Sequence, residues 1–152
     1  MKKLIDFILL TSLFIINGCS NTVENATPSP YNELNNLEGV TLLADKQTVS
    51  PSGLILLIKN ETANEYTFGE AYVLEQKIDA DWYQMPVGTE EDYGFIDIGY
   101  ILDPNETVKR VIDWEWLYEP LDAGEYRIVI DILDVHKAGD LDIYPMSAEF
   151  TI

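Results

Sequence analysis

From Gly39 to the end, the chain is a series of strand-length apolar runs separated by turn residues, and no stretch sustains a helical period. Val40, Leu42 and Ala44 occupy alternate positions, as expected for one face of a strand. Residues 54–58 form a continuous apolar run, which is typical of a central strand covered on both faces. About seven such runs, separated by turn signals, predict an all-β antiparallel sandwich.

The individual strands can be located from alternation and from β-branched or aromatic residues. They are predicted at residues 40–44, 54–58, 66–68, 71–78, 82–85, 107–114, 124–133 and 146–152, with a short apolar element at 96–102. Residues 116–120 are predicted to form a helical turn that crosses between sheets. Residues 88–93 and 136–142 are predicted to be loops, the first acidic and the second containing a glycine.

The only cysteine, Cys19, follows two lysines and an apolar run that extends from Phe7 to Ile16. That run is about half the length needed to cross a membrane, so it fits the apolar part of a signal peptide. Residues 1–18 resemble a bacterial lipoprotein signal peptide, and the resemblance implies that Cys19 is lipidated and begins the mature protein. A plain secretory signal with an incidental cysteine is the alternative. A lone cysteine also excludes a disulfide within the domain.

The segment after Cys19 is polar, contains two prolines and lacks sustained periodicity. We therefore expect three parts: a signal peptide at 1–18, the lipidated cysteine with a flexible linker at 19–38, and one domain at 39–152. Acyl chains on Cys19 would anchor the domain to the extracytoplasmic face of the cell membrane without a spanning helix.

The charge balance narrows the choice of partner. The chain has 27 acidic and 9 basic residues, for a net charge of −18. Nucleic acid is excluded as a partner, because binding to phosphates depends on lysine and arginine. A cationic protein or peptide is the partner that this charge favours. The alternative is that the acidity only keeps an exported domain soluble.

Residues 122–128 resemble the start of strand F in immunoglobulin domains, where the pattern Asp-x-Gly/Ala-x-Tyr-x-Cys occurs. By that resemblance Tyr126 forms a tyrosine corner, and Ile128 replaces the disulfide cysteine with apolar packing. The domain as a whole resembles the bacterial Ig-like family found on exported proteins of low-GC Gram-positive bacteria. This resemblance, which implies an immunoglobulin-like sandwich but no defined chemistry, rests on residues 48–54, 60–62, 66–69, 93–97, 113–118 and 124–128.

The segment from Asp113 to Tyr118 is the candidate binding site. Trp114 and Trp116, beside the carboxylates of Asp113 and Glu115, could form an aromatic and acidic cradle for a cation, a sugar or a basic side chain. The alternative is structural, because a crossover between sheets needs bulky apolar side chains to seal it.

Four aspartates near one hairpin are weak candidates for a calcium site, since Ca²⁺ prefers clustered oxygen ligands. They are Asp131, Asp134, Asp140 and Asp142. Their spacing is not that of an EF-hand, so the primary expectation is a hydrated acidic loop with no metal. Residues 90–92 have the same interpretation.

An enzyme is not expected. His136 is the only histidine, so a zinc site built on several histidines is excluded, and no cofactor is predicted. Asp113 and Glu115, expected on one strand face, are the only carboxylate pair considered for a small hydrolase. The sequence thus favours a non-enzymatic, lipid-anchored binding module, with a calcium-dependent structural or adhesion module as the alternative.

Overall fold

The computed structural model describes residues 26–88 and 93–152, and in these residues ten strands form two antiparallel sheets. The smaller sheet has the order β2-β3-β8, with β2 at Val40–Ala44, β3 at Gly53–Asn60 and β8 at Thr107–Asp113. The larger sheet contains β1 (Thr27–Pro28), β4 (Tyr66–Gly69), β5 (Val73–Ile78), β6 (Asp81–Gln84), β7 (Gly99–Leu102), β9 (Glu125–Lys137) and β10 (Asp140–Thr151). The described residues contain no helix long and apolar enough to cross a membrane.

This architecture confirms the predicted all-β, immunoglobulin-like sandwich. Each predicted apolar run overlaps one strand of the structure, and β1, which comes from the predicted linker, is the additional strand. Inward-facing side chains of both sheets form one core, which includes Leu56, Ile58, Ile128 and Ile132, all fully buried. In β3 the burial alternates along the strand, so Ile55 and Leu57 are only half-buried instead of fully covered.

The longest strand, β9, organises the larger sheet. Along one edge it pairs with β10 over its whole length. Along the other edge it pairs with β5 at residues 126–129 and with β4 at residues 132–133. Ile130 and Asp131 lie between these two partners and pair with neither. The sheet therefore has a gap beside these two residues.

An arginine of the smaller sheet binds the chain segment between β4 and β5, next to the gap. Arg110 on β8, which is only 9% exposed, donates hydrogen bonds to the backbone carbonyls of Gly69 and Glu70. Its guanidinium also lies 3.0 Å from the Glu70 carboxylate. These contacts lie where the chain leaves β4 and before β5 begins, next to the part of β9 that pairs with neither strand.

The predicted flexible linker differs from the structure at residues 26–38. Strand β1 pairs with β6, and the Ser29 amide donates to the Trp82 carbonyl at 2.9 Å. Asn35 forms two hydrogen bonds with Ser147, at 2.8 and 3.1 Å, and Leu37 is buried in the core. We call residues 26–36 the N-terminal strap, because they lie across the outer face of the larger sheet. Cys19 and the predicted signal peptide lie outside the described residues.

A buried ion pair lies beneath the strap. The Arg127 guanidinium approaches the Glu75 carboxylate at 2.6 Å, and Glu75 is fully buried. Arg127 also donates to the Ser29 hydroxyl at 3.1 Å and lies 4.4 Å from the centre of the Trp82 ring. Removing one partner of such a buried pair typically costs about 3–5 kcal/mol. The pair thus ties strap, β5, β6 and β9 together.

The predicted loop at residues 136–142 is wrong. Strand β9 continues to Lys137 and β10 begins at Asp140, so only two residues connect them. Gly139 adopts a left-handed conformation with φ of 78°, and the register shifts next to Asp140. A glycine in this conformation beside a bulge is a common way to close a tight hairpin.

Candidate functional site

The chain crosses from the smaller to the larger sheet in a single helical turn after β8. The amides of Leu117 and Tyr118 both donate to the Trp114 carbonyl, at 3.0 and 2.8 Å. The Asp113 carboxylate accepts a hydrogen bond from the Glu115 amide at 3.0 Å. This turn separates the side chains of the candidate binding segment and sends them to different environments.

Trp114 points into the core and is fully buried. Its indole nitrogen donates to the Pro51 carbonyl at 2.8 Å, and its ring stacks on Phe150 with centroids 5.6 Å apart. The expectation that both indoles line one surface cradle is therefore wrong for Trp114, whose side chain has become part of the seal between the sheets.

Trp116 remains at the surface and is 53% exposed. Its ring meets Phe95 edge to face at 5.4 Å, and Phe95 in turn meets Tyr72 edge to face at 5.0 Å. Tyr118 lies 6.4 Å from Tyr72 and is nearly buried. Two members of the predicted segment thus join aromatic residues from the chain between β4 and β7, and together they form an open aromatic cluster.

A cavity of about 350 Å³ lies at the gap in the larger sheet, next to this cluster. We call it the tyrosine cavity. Its lining includes one carboxylate, that of Asp131, and the aromatic side chains of Tyr31, Tyr72, Tyr93, Phe95 and Tyr118. Tyr31 is supplied by the strap, and Tyr93 is half-exposed at the rim. The gap exists because neither β4 nor β5 covers this part of β9.

The electrostatics of the tyrosine cavity are those of one carboxylate among neutral phenols. Asp131 forms no ion pair with a basic side chain of the described residues, and partial burial raises its pKa. Burial raises the pKa of Tyr72 to about 12. Burial, followed by the nearby carboxylates of Asp131 and Glu75, raises the pKa of Tyr31. The phenols of Tyr31 and Tyr72 therefore stay uncharged at neutral pH.

A second cavity, of about 730 Å³, lies between the start of the strap and the crossover, next to Tyr126. The Tyr126 hydroxyl donates to the Asp122 carbonyl at 3.0 Å, the arrangement of a tyrosine corner, and accepts from Gln76 at 3.3 Å. Ala26, the first described residue, is part of the lining of this cavity.

The hairpin aspartates do not converge on one point. Asp134 and Asp142 are direct cross-strand partners, and His136 lies between them, 3.8 Å from Asp134 and 3.1 Å from Asp142. The hydrogen bond to Asp142 and the charge of Asp134 raise the pKa of His136. Asp140 contacts Lys137 instead, at 3.7 Å, and Asp131 faces the tyrosine cavity. Within residues 26–88 and 93–152, no three acidic, histidine or cysteine side chains are grouped as metal ligands.

The carboxylate pair considered for hydrolysis does not share a strand face. Strand β8 ends at Asp113, and Glu115 belongs to the following turn. The Asp113 side chain accepts a hydrogen bond from the Glu115 backbone, as in a local turn motif. The acidic residues 90–92 lie outside the described residues.

Sequence reasoning did not identify the tyrosine cavity. Its lining comes from the strap, from the chain flanking β5 and β7, and from β9, so no short motif contains it. The one available signal was the pair of aromatic residues Tyr93 and Phe95, which entered the sequence interpretation through the family resemblance and the neighbouring acidic loop and not as a binding site.

A family model described as a bacterial Ig-like domain matches residues 36–151. This range covers most of the chain and includes every strand except β1. Among curated proteins and among solved structures, none matches the chain significantly.

Proposed function

Because the chain belongs to the bacterial Ig-like domain family, whose members are generally non-catalytic, we propose that it is a non-enzymatic binding module anchored by lipid. In this proposal Cys19 carries the acyl chains on the extracytoplasmic face of the cell membrane. The domain presents an acidic surface to a cationic protein or peptide. Each part rests on a separate observation.

The proposed anchor is supported by the placement of Cys19 after a charged start and a short apolar run. One acyl chain gives only marginal membrane binding, whereas two hold a protein stably. The strap begins at Ala26, a few residues after Cys19 in sequence, so the anchor would hold the domain close to the membrane.

The single observation that carries the choice of partner is the engagement of the basic side chains. Arg110 and Arg127 are nearly buried and paired with carboxylates. Lys59, Lys77 and Lys137 also contact acidic side chains. Against 27 acidic residues in the chain, few cations remain to neutralise the field at the surface. A cationic partner gains from this field during both encounter and binding.

The anchor is tested by metabolic labelling with palmitate and by fractionation of cells that produce the wild-type chain or a Cys19→Ala variant. We expect label in the wild-type protein and its recovery with membranes, and neither in the variant. Recovery of both proteins in the same fraction, without label, would remove the anchor from the proposal.

The partner class is tested by titrating the purified full-length chain, in a neutral detergent, with oligolysine and with oligoglutamate of equal length. We expect binding of oligolysine alone, and a strong loss of affinity as salt shortens the range of the electrostatic attraction. Equal behaviour of the two peptides, or binding that salt does not change, would contradict an acidic binding surface.

A further inference from the structure

We propose that the tyrosine cavity receives one lysine or arginine side chain of the cationic partner, with Asp131 as its counter-ion. This inference rests on the proposed function and adds the place and the chemical group of recognition. It is carried by the size of the cavity, its aromatic lining and the absence of a basic partner for Asp131.

The size of the cavity limits what can enter. At about 350 Å³ it lies near the lower end of the range for small-molecule sites, roughly 300–1,000 Å³. A single side chain or a small cation suits this volume better than a folded element. The gap in the larger sheet gives access, since Ile130 and Asp131 have no strand beside them on that edge.

The lining suits a cation with an apolar stem. The faces of aromatic rings attract ammonium and guanidinium groups, and the effect grows when water is excluded. Tyr31, Tyr93 and Phe95 supply rings, while Val73, Met85 and Val129 supply aliphatic surface for the methylene groups of the stem. Among the described residues that line the cavity, the only charged side chain is the carboxylate of Asp131, which disfavours an anionic ligand.

Within the described part of the chain, Asp131 has no basic partner, unlike two acidic residues of the adjoining segment. Glu70 is paired with Arg110, and Glu75 with Arg127. Asp131 is the exposed position of β9 at the gap, so an arriving cation can reach its carboxylate without any rearrangement of the strand.

The surface next to Asp131 is apolar and exposed. Ile101, Leu133 and Ile143 form one row across the outer face of the larger sheet, through the paired positions of β7, β4, β9 and β10. Ile101 is 59% and Ile143 is 57% exposed. Leu133 follows Asp131 by two residues and lies on the same face of the strand. Apolar residues of the partner that flank its inserted lysine or arginine would therefore pack against this row.

The test uses a neutral glycine-serine peptide with one central lysine, and the same peptide with norleucine in place of lysine. Each is titrated at millimolar concentration into the isotope-labelled full-length chain in a neutral detergent, and amide shifts are recorded. We expect the lysine peptide to shift Asp131 and residues 93–98, and the norleucine peptide to leave them unchanged. Equal shifts from both peptides would overturn the inference.

Two pairs of variants distinguish binding in the cavity from attraction by the overall negative charge of the protein. Asp131→Asn should weaken lysine-peptide binding by about tenfold, whereas Glu65→Gln removes an equal charge from an exposed loop outside the cavity and should have little effect. Tyr93→Ala should weaken binding roughly two- to fivefold, and Tyr93→Phe should retain it. Equal losses in Asp131→Asn and Glu65→Gln would overturn the inference.

The failure of this inference and the failure of the proposed function give different results. If oligolysine binds but the single-lysine peptide does not, the acidic surface stands and the cavity is not the site. If oligolysine also fails to bind, the cationic partner itself is wrong.

Discussion

Two aromatic clusters flank the turn at residues 114–118, and they differ in how many of their contacts are made within the domain. In the first, Trp114 stacks on Phe150, which also stacks on Tyr126, and the polar atoms of Trp114 and Tyr126 reach backbone carbonyls. In the second, Trp116 and Phe95 meet at the surface beside a cavity with an unpaired carboxylate. The first cluster is complete within the domain, whereas the second leaves contacts for a partner.

The comparison shows that position along the chain does not decide the role of an aromatic side chain. Trp114 and Trp116 are two residues apart, yet one is fully buried and the other is 53% exposed. The helical turn between them is what directs one ring into the core and the other to the surface.

The largest expected effect is the loss of stability in Trp114→Ala. Removing a buried tryptophan costs about 3–5 kcal/mol, because packing is lost and a cavity remains. We expect the midpoint of chemical unfolding to fall accordingly. In Trp116→Ala the change should be about 0.5 kcal/mol or less, as for most surface substitutions. Equal losses in the two variants would break the distinction between the clusters.

A smaller loss is expected in Tyr126→Phe. This substitution keeps the stacking on Phe150 and removes only the hydroxyl that bonds to the Asp122 carbonyl. A partly buried hydrogen bond of this kind contributes about 0.5–1.5 kcal/mol. Chemical unfolding measures the change. Tyr144→Phe serves as the control, because within the described residues the Tyr144 hydroxyl forms no hydrogen bond. A stability equal to wild type would show that the corner is not needed.

In the open cluster, Asp131→Asn should not destabilise the domain. Partial burial raises the pKa of Asp131 above 3.8, so the folded protein binds this proton more readily than the unfolded chain. Stability therefore falls as pH rises from 3.8 through the raised pKa. We expect the asparagine variant to melt at or slightly above wild type at neutral pH, with the difference closing in acid. A lower melting temperature at neutral pH would mean that the carboxylate has a stabilising partner.

The smallest effect is expected at the hairpin, away from both clusters. The hydrogen bond to Asp142 and the charge of Asp134 raise the pKa of His136 above 6.5. Its charged form then adds stability that is fully present below pH 6.5 and is lost as pH rises through the folded pKa. In thermal melts, His136→Gln should fall slightly below wild type in acid and match it in alkali. Lys137→Gln should show no such pH dependence over this range, and a pH-independent effect of His136→Gln would contradict the contact with the aspartates.

The fold was largely predictable because its signals are local. Alternation placed β2, β8 and the second half of β10, and turn residues marked the ends of β2 and β8. The strap was missed because its attachment depends on polar contacts, such as Asn35 to Ser147, which leave no periodic pattern. The tight hairpin at Gly139 was missed because the polar residues on both sides of it suggested a longer loop.

The candidate site was only partly predictable for a related reason. The segment from Asp113 to Tyr118 was identified from its composition, but composition does not show which side of a turn each ring occupies. Asp131 was considered with three other aspartates, and its separation from them depends on the gap between β4 and β5. Next to that gap Arg110 binds the backbone of Gly69 and Glu70, a contact between residues that are distant in sequence.

The most direct test of the account is a map of amide chemical shifts across the full-length chain during titration with the single-lysine peptide. The account predicts changes grouped at residues 93–98, 116–118 and 131, with Trp114 and Tyr126 unaffected. Changes spread over the acidic residues of both sheets, with none concentrated at Asp131, would contradict it.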